Sequence, residues 1–122
     1  GCDTSQCGAC TIHLNGLTVK SCTILVVAVE GMSVKTIEGI SDKGVLHPMQ
    51  QKFNEKHALQ CGFCTPGMVM AAIGILERHD GQVDEALVRE ELEGNICRCT
   101  GYQNIVDAIV EVAEDLQKVQ AH

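Results

Sequence analysis

Tryptophan is absent from this sequence, and tyrosine occurs once and phenylalanine twice in 122 residues. The core must therefore be built from Val, Ile, Leu, Met and Ala, and in so short a chain such a core is thin unless something supplements it. Positive charge is also scarce and scattered. Nine Lys and Arg against sixteen Asp and Glu leave a net charge of −7, which argues against a nucleic-acid partner, because nothing could replace the counterions around phosphate. No apolar run approaches the length of a membrane span, so no transmembrane segment is expected. An initiating Met is missing too: the chain opens on Gly1-Cys2, and its true beginning is expected to lie outside the sequence. What is abundant is cysteine, with eight residues.

The cysteines fall into two sets of four. Cys2, Cys7, Cys10 and Cys22 read C-x4-C-x2-C with a fourth Cys further on, the plant-type spacing for a [2Fe-2S] cluster. Small residues between them leave room for backbone N–H groups to point at sulfur. Thr11–Leu14 and Leu17–Cys22 alternate in polarity around Asn15-Gly16, a type I′ turn signal, so a hairpin carries Cys10 and Cys22 towards each other. Residues 24–29 read as a short buried element, and 33–37 as a strand. The second set is Cys61-x2-Cys64 with Cys97-x-Cys99, one pair for each iron of a second cluster.

Thr65-Pro66 and Thr100 follow these pairs, and each Thr is expected to cap a helix, which places each pair at a helix N-terminus facing an anionic cluster. Residues 45–119 thus repeat an order of helix, cysteine pair, Thr, helix. The first helix spans about 48–56 with Leu46, Met49 and Phe53 inward. The second, about 66–78, is apolar nearly all round and central, with Ala71, Ala72 and Gly74 as small residues. The third is capped by Asp84 and runs to about Leu92, showing Leu87, Val88 and Leu92. The fourth shows Ile105, Ile109, Val112, Leu116 and Val119 at bundle spacing.

Other readings weigh less. Disulfides do not suit Cys-x-Cys and Cys-x-x-Cys pairs at helix starts, and a zinc ribbon does not use the Cys2–Cys7 loop with a hairpin-borne fourth ligand. His13 sits at the Cys-x-x-His spacing of half a Rieske site, but the companion Cys-x-His is missing, so it reads as a solvated, outward histidine. His47, His57, His79 and His122 read as surface residues, and Glu90, Glu91 and Glu93 as a solvated face. Arg98, between two ligands, either offsets cluster charge and raises its potential or faces solvent or a partner.

The stretches Gly1–Thr11, Gln60–Met68 and Asn95–Gln103 resemble the iron–sulfur subunit of the xanthine oxidase family of molybdenum hydroxylases. Ser21-Cys22-Thr23 and the Gly-Tyr-Gln-Asn-Ile-Val run from Gly101 look most like the small subunit of aerobic carbon monoxide dehydrogenases. The resemblance implies an α+β chain: a plant-type, ferredoxin-like β-grasp domain over residues 1–40, lacking its first strands and helix, and a four-helix [2Fe-2S] domain over 41–122. It implies an electron-transfer subunit without substrate chemistry of its own. Its partners would be a large subunit holding molybdenum on a pterin cytosine dinucleotide and a medium subunit holding FAD, in a dimer of heterotrimers. Electrons would run from molybdenum through both clusters to FAD. Gln60 and Cys99 would touch the pterin edge. The alternative is a stand-alone two-cluster ferredoxin or redox-regulatory protein. Oxygen-sensitive clusters place either in the cytoplasm.

Overall fold

The computed structural model describes residues 1–120. Its first element is the expected hairpin: β1 (Thr11–Leu14) pairs antiparallel with β2 (Leu17–Lys20), Thr11 opposite Lys20 and Leu14 opposite Leu17. Asn15 at φ 50° and Gly16 at φ 81° make the left-handed turn that joins them. The other edge of β1 pairs with β3 (Val34–Lys35), giving the sheet order β2-β1-β3. The strand expected over 33–37 is therefore confined to two residues, because the chain turns into a single 3-10 turn at Ile37–Gly39.

Four helices follow: α1 (Pro48–Glu55), α2 (Thr65–Arg78), α3 (Glu85–Glu91) and α4 (Gln103–Gln120). The central helix is α2, buried continuously from Gly67 to Leu76. The hairpin packs on one of its sides and α1 on another, while α4 closes against α1 and α3. The core combines Met49 and Phe53 of α1, Met68, Val69, Ala72 and Ile75 of α2, Val88 of α3, and Ile105, Ile109 and Val112 of α4. Met fills irregular gaps that a core poor in aromatics leaves open.

Several expectations need correction. Residues 24–29 are not buried: Val26–Val29 form a 3-10 turn, with Val26 86% and Val27 82% exposed. An apolar run says nothing about whether a neighbour covers it. Leu46, ahead of α1, is exposed as well, and so are Leu116 and Val119, where the apolar stripe of α4 outruns the helices packed on it. Neither Thr caps its helix. Cys64 holds the cap position of α2 without a side-chain hydrogen bond, and Thr65 is the first helical residue. Thr100 lies upstream of Gln103, where α4 begins.

His13 is the clearest reversal, being 6% exposed with its Nε2 2.8 Å from the Met70 carbonyl oxygen. The face of β1 that meets α2 carries Thr11 and His13, not Ile12 and Leu14, and a helix carbonyl satisfies the ring N–H that burial would otherwise strand. His122 lies outside the described residues.

The Asp84 cap is in place, its carboxylate accepting the Leu87 N–H at 2.8 Å. Asp84→Ala is expected to cost about 1 kcal/mol in a denaturant melt, the usual worth of a carboxylate cap.

Candidate metal centres

The first cysteine loop is wound around a sulfur atom. Asp3 and Ser5 take left-handed backbone angles, φ 57° and 65°, which turn the N–H groups of Thr4, Gln6 and Cys7 onto Cys2 Sγ at 3.3 Å each. The Thr4 hydroxyl, then the N–H groups of Thr4, Cys7 and Gln6, hold the Cys2 thiol down to about 5. Such a cradle favours a thiolate.

The hairpin brings Cys10 and Cys22 together, with the Ser21 N–H and hydroxyl on the Cys10 carbonyl at 3.3 and 2.9 Å. Burial opposes ionisation of Cys10. Hydrogen bonds from the Cys22 N–H, the Cys22 thiol and Ser21 outweigh it, and its thiol lies below the ordinary value.

The two loops of the second set meet at Cys64 and Cys97. The Cys64 and Cys97 thiols lie close enough to shift each other's ionisation. Burial, then the Cys97 thiol, then the charges of Cys97 and Cys61 push Cys64 up to about 12. At Cys97, the Thr100 hydroxyl, the N–H groups of Thr100 and Cys99, and the Cys64 thiol overcome burial and lower it. The Phe63 N–H reaches Cys61 Sγ at 3.5 Å. Cys61 and Cys99 are exposed.

All eight cysteines are free thiols. Among the described residues no three His, Cys, Asp or Glu side chains converge as one metal ion requires. Thiols that meet in pairs, with N–H and O–H donors aimed at sulfur, are a donor set that fits diiron clusters held by four thiolates.

The two quartets are joined by short contacts. The Ile96 N–H donates to the Cys7 carbonyl at 2.8 Å, linking the residue before Cys97 to a ligand of the first set. Asn95, 8% exposed, donates through Nδ2 to the Gly8 carbonyl at 3.1 Å. Gly67, in the first turn of α2, lies so close to the first loop that a Cβ there would stand 2.1 Å from the Gly8 carbonyl oxygen. The sequence assigns Gly8 only to a small-residue loop around sulfur and gives no role to Asn95 or Gly67. Their signal was faint: a glycine in the loop, a glycine after Thr-Pro and an amide before the Cys-x-Cys pair.

Gln60 and Arg98 are exposed, on the same two loops as Cys61 and Cys99. The apolar side chains Phe63 and Ile96 are 67% and 51% exposed there. Glu91 is half-buried, pairing with Arg78, while Glu90 and Glu93 are exposed as expected. His47 is half-buried and caps α1, its Nδ1 accepting the Met49 N–H at 3.1 Å. No helix among the described residues is long and apolar enough to cross a membrane.

The profile of the [2Fe-2S] binding domain family matches residues 36–110. The chain is 46% identical over 111 residues to the 6-hydroxypseudooxynicotine dehydrogenase complex subunit beta of Paenarthrobacter nicotinovorans, which covers 91% of this chain and 69% of that protein. It is 40% identical over 112 residues to the xanthine dehydrogenase iron-sulfur-binding subunit of Escherichia coli O157:H7, covering 91% and 70%. Its fold is similar to a chain of quinoline 2-oxidoreductase from Pseudomonas putida 86, with a TM-score of 0.90 and 45% identity over 97% of this chain and 74% of that one.

Proposed function

Since the chain belongs to the [2Fe-2S]-binding family of small iron–sulfur subunits in xanthine oxidase-type oxidoreductase complexes, we propose that it relays single electrons between partner subunits through two clusters. Cys2, Cys7, Cys10 and Cys22 hold the first, and Cys61, Cys64, Cys97 and Cys99 the second. Bound there, each [2Fe-2S] cluster supplies a one-electron redox centre. The chain's own residues fix the sulfur positions, supply hydrogen bonds to them and keep the two sites in register.

The observation that carries this reading is the hydrogen bond from the Ile96 N–H to the Cys7 carbonyl. Through it, covalent bonds and a single 2.8 Å hydrogen bond join Cys97 Sγ to Cys7 Sγ. A chain that only stored metal would have no need of so short a link.

The finer reading assigns residues 1–40 to a β-grasp ferredoxin-like unit and 41–122 to a four-helix unit. It places Gln60 and Cys99 at the pterin edge of a molybdenum-binding subunit and FAD on a further subunit, in a cytoplasmic dimer of heterotrimers. Exposed Phe63 and Ile96 beside the second quartet favour a docked subunit over a free ferredoxin. Several relatives are named for nitrogen heterocycles such as xanthine and quinoline, others for aldehydes, and none of those compared for carbon monoxide. A complex oxidising such a ring is therefore the better proposal than a carbon monoxide dehydrogenase.

Iron and acid-labile sulfide analysis, with electron paramagnetic resonance of the dithionite-reduced protein, tests the reading. We expect about four irons per chain and two distinct spin-half signals, from two four-cysteine clusters. Iron for a single cluster, or one signal, would sink the two-cluster proposal.

A further inference from the structure

We propose that the hydroxyls of Thr65 and Thr100 are a matched pair of hydrogen-bond donors to the sulfur atoms of the second cluster site, raising its reduction potential. This rests on the two-cluster reading above and extends it to residues that ligate nothing.

Each Thr directly follows a ligand, Thr65 after Cys64 and Thr100 after Cys99. Thr100 Oγ1 lies 3.1 Å from Cys97 Sγ. The same oxygen accepts the Tyr102 N–H at 3.1 Å, so a lone pair is occupied and the hydroxyl proton is free to point at sulfur. Between two thiols or alcohols either atom can donate. A thiolate bound to iron has no proton, so there only the Thr can.

The neighbourhood enforces this choice. Tyr102 is held at φ 70°, and its phenol oxygen takes the Cys97 N–H at 2.9 Å. That donor is thereby diverted from sulfur. The first quartet has three N–H groups at 3.3 Å from Cys2 Sγ; in the second, Phe63 makes a long N–H contact to Cys61, and the Thr100 hydroxyl stands with the N–H groups of Thr100 and Cys99 about Cys97.

Thr65 supplies the second observation. Its Oγ1 is buried and has no hydrogen-bond partner among the described residues, an unfavourable state for a hydroxyl. It sits at the first position of α2, beside the half-buried Cys64. A cluster sulfur next to that helix start is an acceptor of the right chemistry. Reduction adds negative charge to the cluster, so an O–H···S bond strengthens in the reduced form and the potential rises.

The test is a redox titration of the holoprotein followed by electron paramagnetic resonance, with the second cluster identified as the signal that Cys97→Ser removes. Thr100→Val and Thr65→Val keep shape and lose the donor. Each is expected to lower that midpoint by up to the equivalent of about a tenfold change in the oxidised-to-reduced ratio, 59 mV for one electron, and to leave the first cluster's midpoint in place. Thr100→Ser and Thr65→Ser restore the parent value.

A valine variant that keeps its iron and titrates like the parent overturns the assignment for that residue, while the two-cluster reading stands. A parent chain without four irons overturns both. Should a valine variant fail to assemble, pulsed ENDOR of the reduced parent in D2O replaces it: hydroxyl deuterons coupled to the second cluster are expected, and their absence overturns the pair.

Discussion

Alanine in place of Gly67 is expected to destabilise the fold by more than about 3 kcal/mol, the upper end of ordinary overpacking, and to disturb the first cluster more than the second. In isolation the change should help α2, since Ala is better than Gly in a helix by about 1 kcal/mol. The surroundings decide otherwise. The new Cβ would lie 2.1 Å from the Gly8 carbonyl oxygen and 2.9 Å from the carbonyl carbon and Cα of Ala9. These are backbone atoms, so no rotamer change relieves the contact, and either α2 or the Cys7–Cys10 loop must move. The loop is the weaker partner. It is held by Thr11 on the Gly8 carbonyl at 2.7 Å, by Asn95 on the same oxygen and by the Ile96–Cys7 bond. A denaturant melt of the holoprotein and the line shape of the first cluster's signal read the two effects. A Gly67→Ala protein that melts within about 1 kcal/mol of the parent, the helix-propensity term alone, would show that the close packing is not needed.

That contact also marks what the sequence discloses and what it withholds. The hairpin was legible because its signals are local: polarity alternates on both sides of Asn15-Gly16, and the turn chemistry fixes the register. The helix spans were legible for the same reason, from Pro48, Pro66, Asp84 and the spacing in α4. Sulfur spacing, too, is local, and it separated the quartets. Long-range choices were not legible. Period two places Thr11 and His13 on one face of β1, yet only the approach of the Met70 carbonyl explains why that polar face is the buried one. The apolar run at 24–29 has the composition of a core element, but composition does not supply a neighbour. Thr65 and Thr100 looked like caps because their type suits that role, and the proximity of Thr100 to Cys97 sulfur depends on the turn that Gly101 and Tyr102 make before α4. The Gly67–Gly8 approach joins residues far apart in sequence, and no pattern within either segment announces it.

Serine in place of one cysteine per quartet should separate the clusters cleanly, and the two variants should differ in stability. Cys22→Ser and Cys97→Ser are each expected to halve the iron, from about four to about two per chain, and each to remove a different one of the two spin signals, since a serine hydroxyl, harder and far less acidic than a thiol, is a poor replacement for thiolate on cluster iron. The chain responds differently because the sites differ in burial. Cys22 is exposed on the hairpin, and its loop remains tied by Ser21 to the Cys10 carbonyl. Cys97 is buried in the main core cluster beside the Cys64 thiol. A hydroxyl there loses the apolar contact of sulfur, and loss of the cluster removes binding energy that stabilises the folded state alone. Cys97→Ser should therefore lower the melting temperature further than Cys22→Ser. Iron falling to zero in either variant, or both signals fading together, would mean that the eight thiolates form one linked site. Equal melting temperatures would mean that the second cluster contributes no more to the fold than the first, against the burial of its ligands.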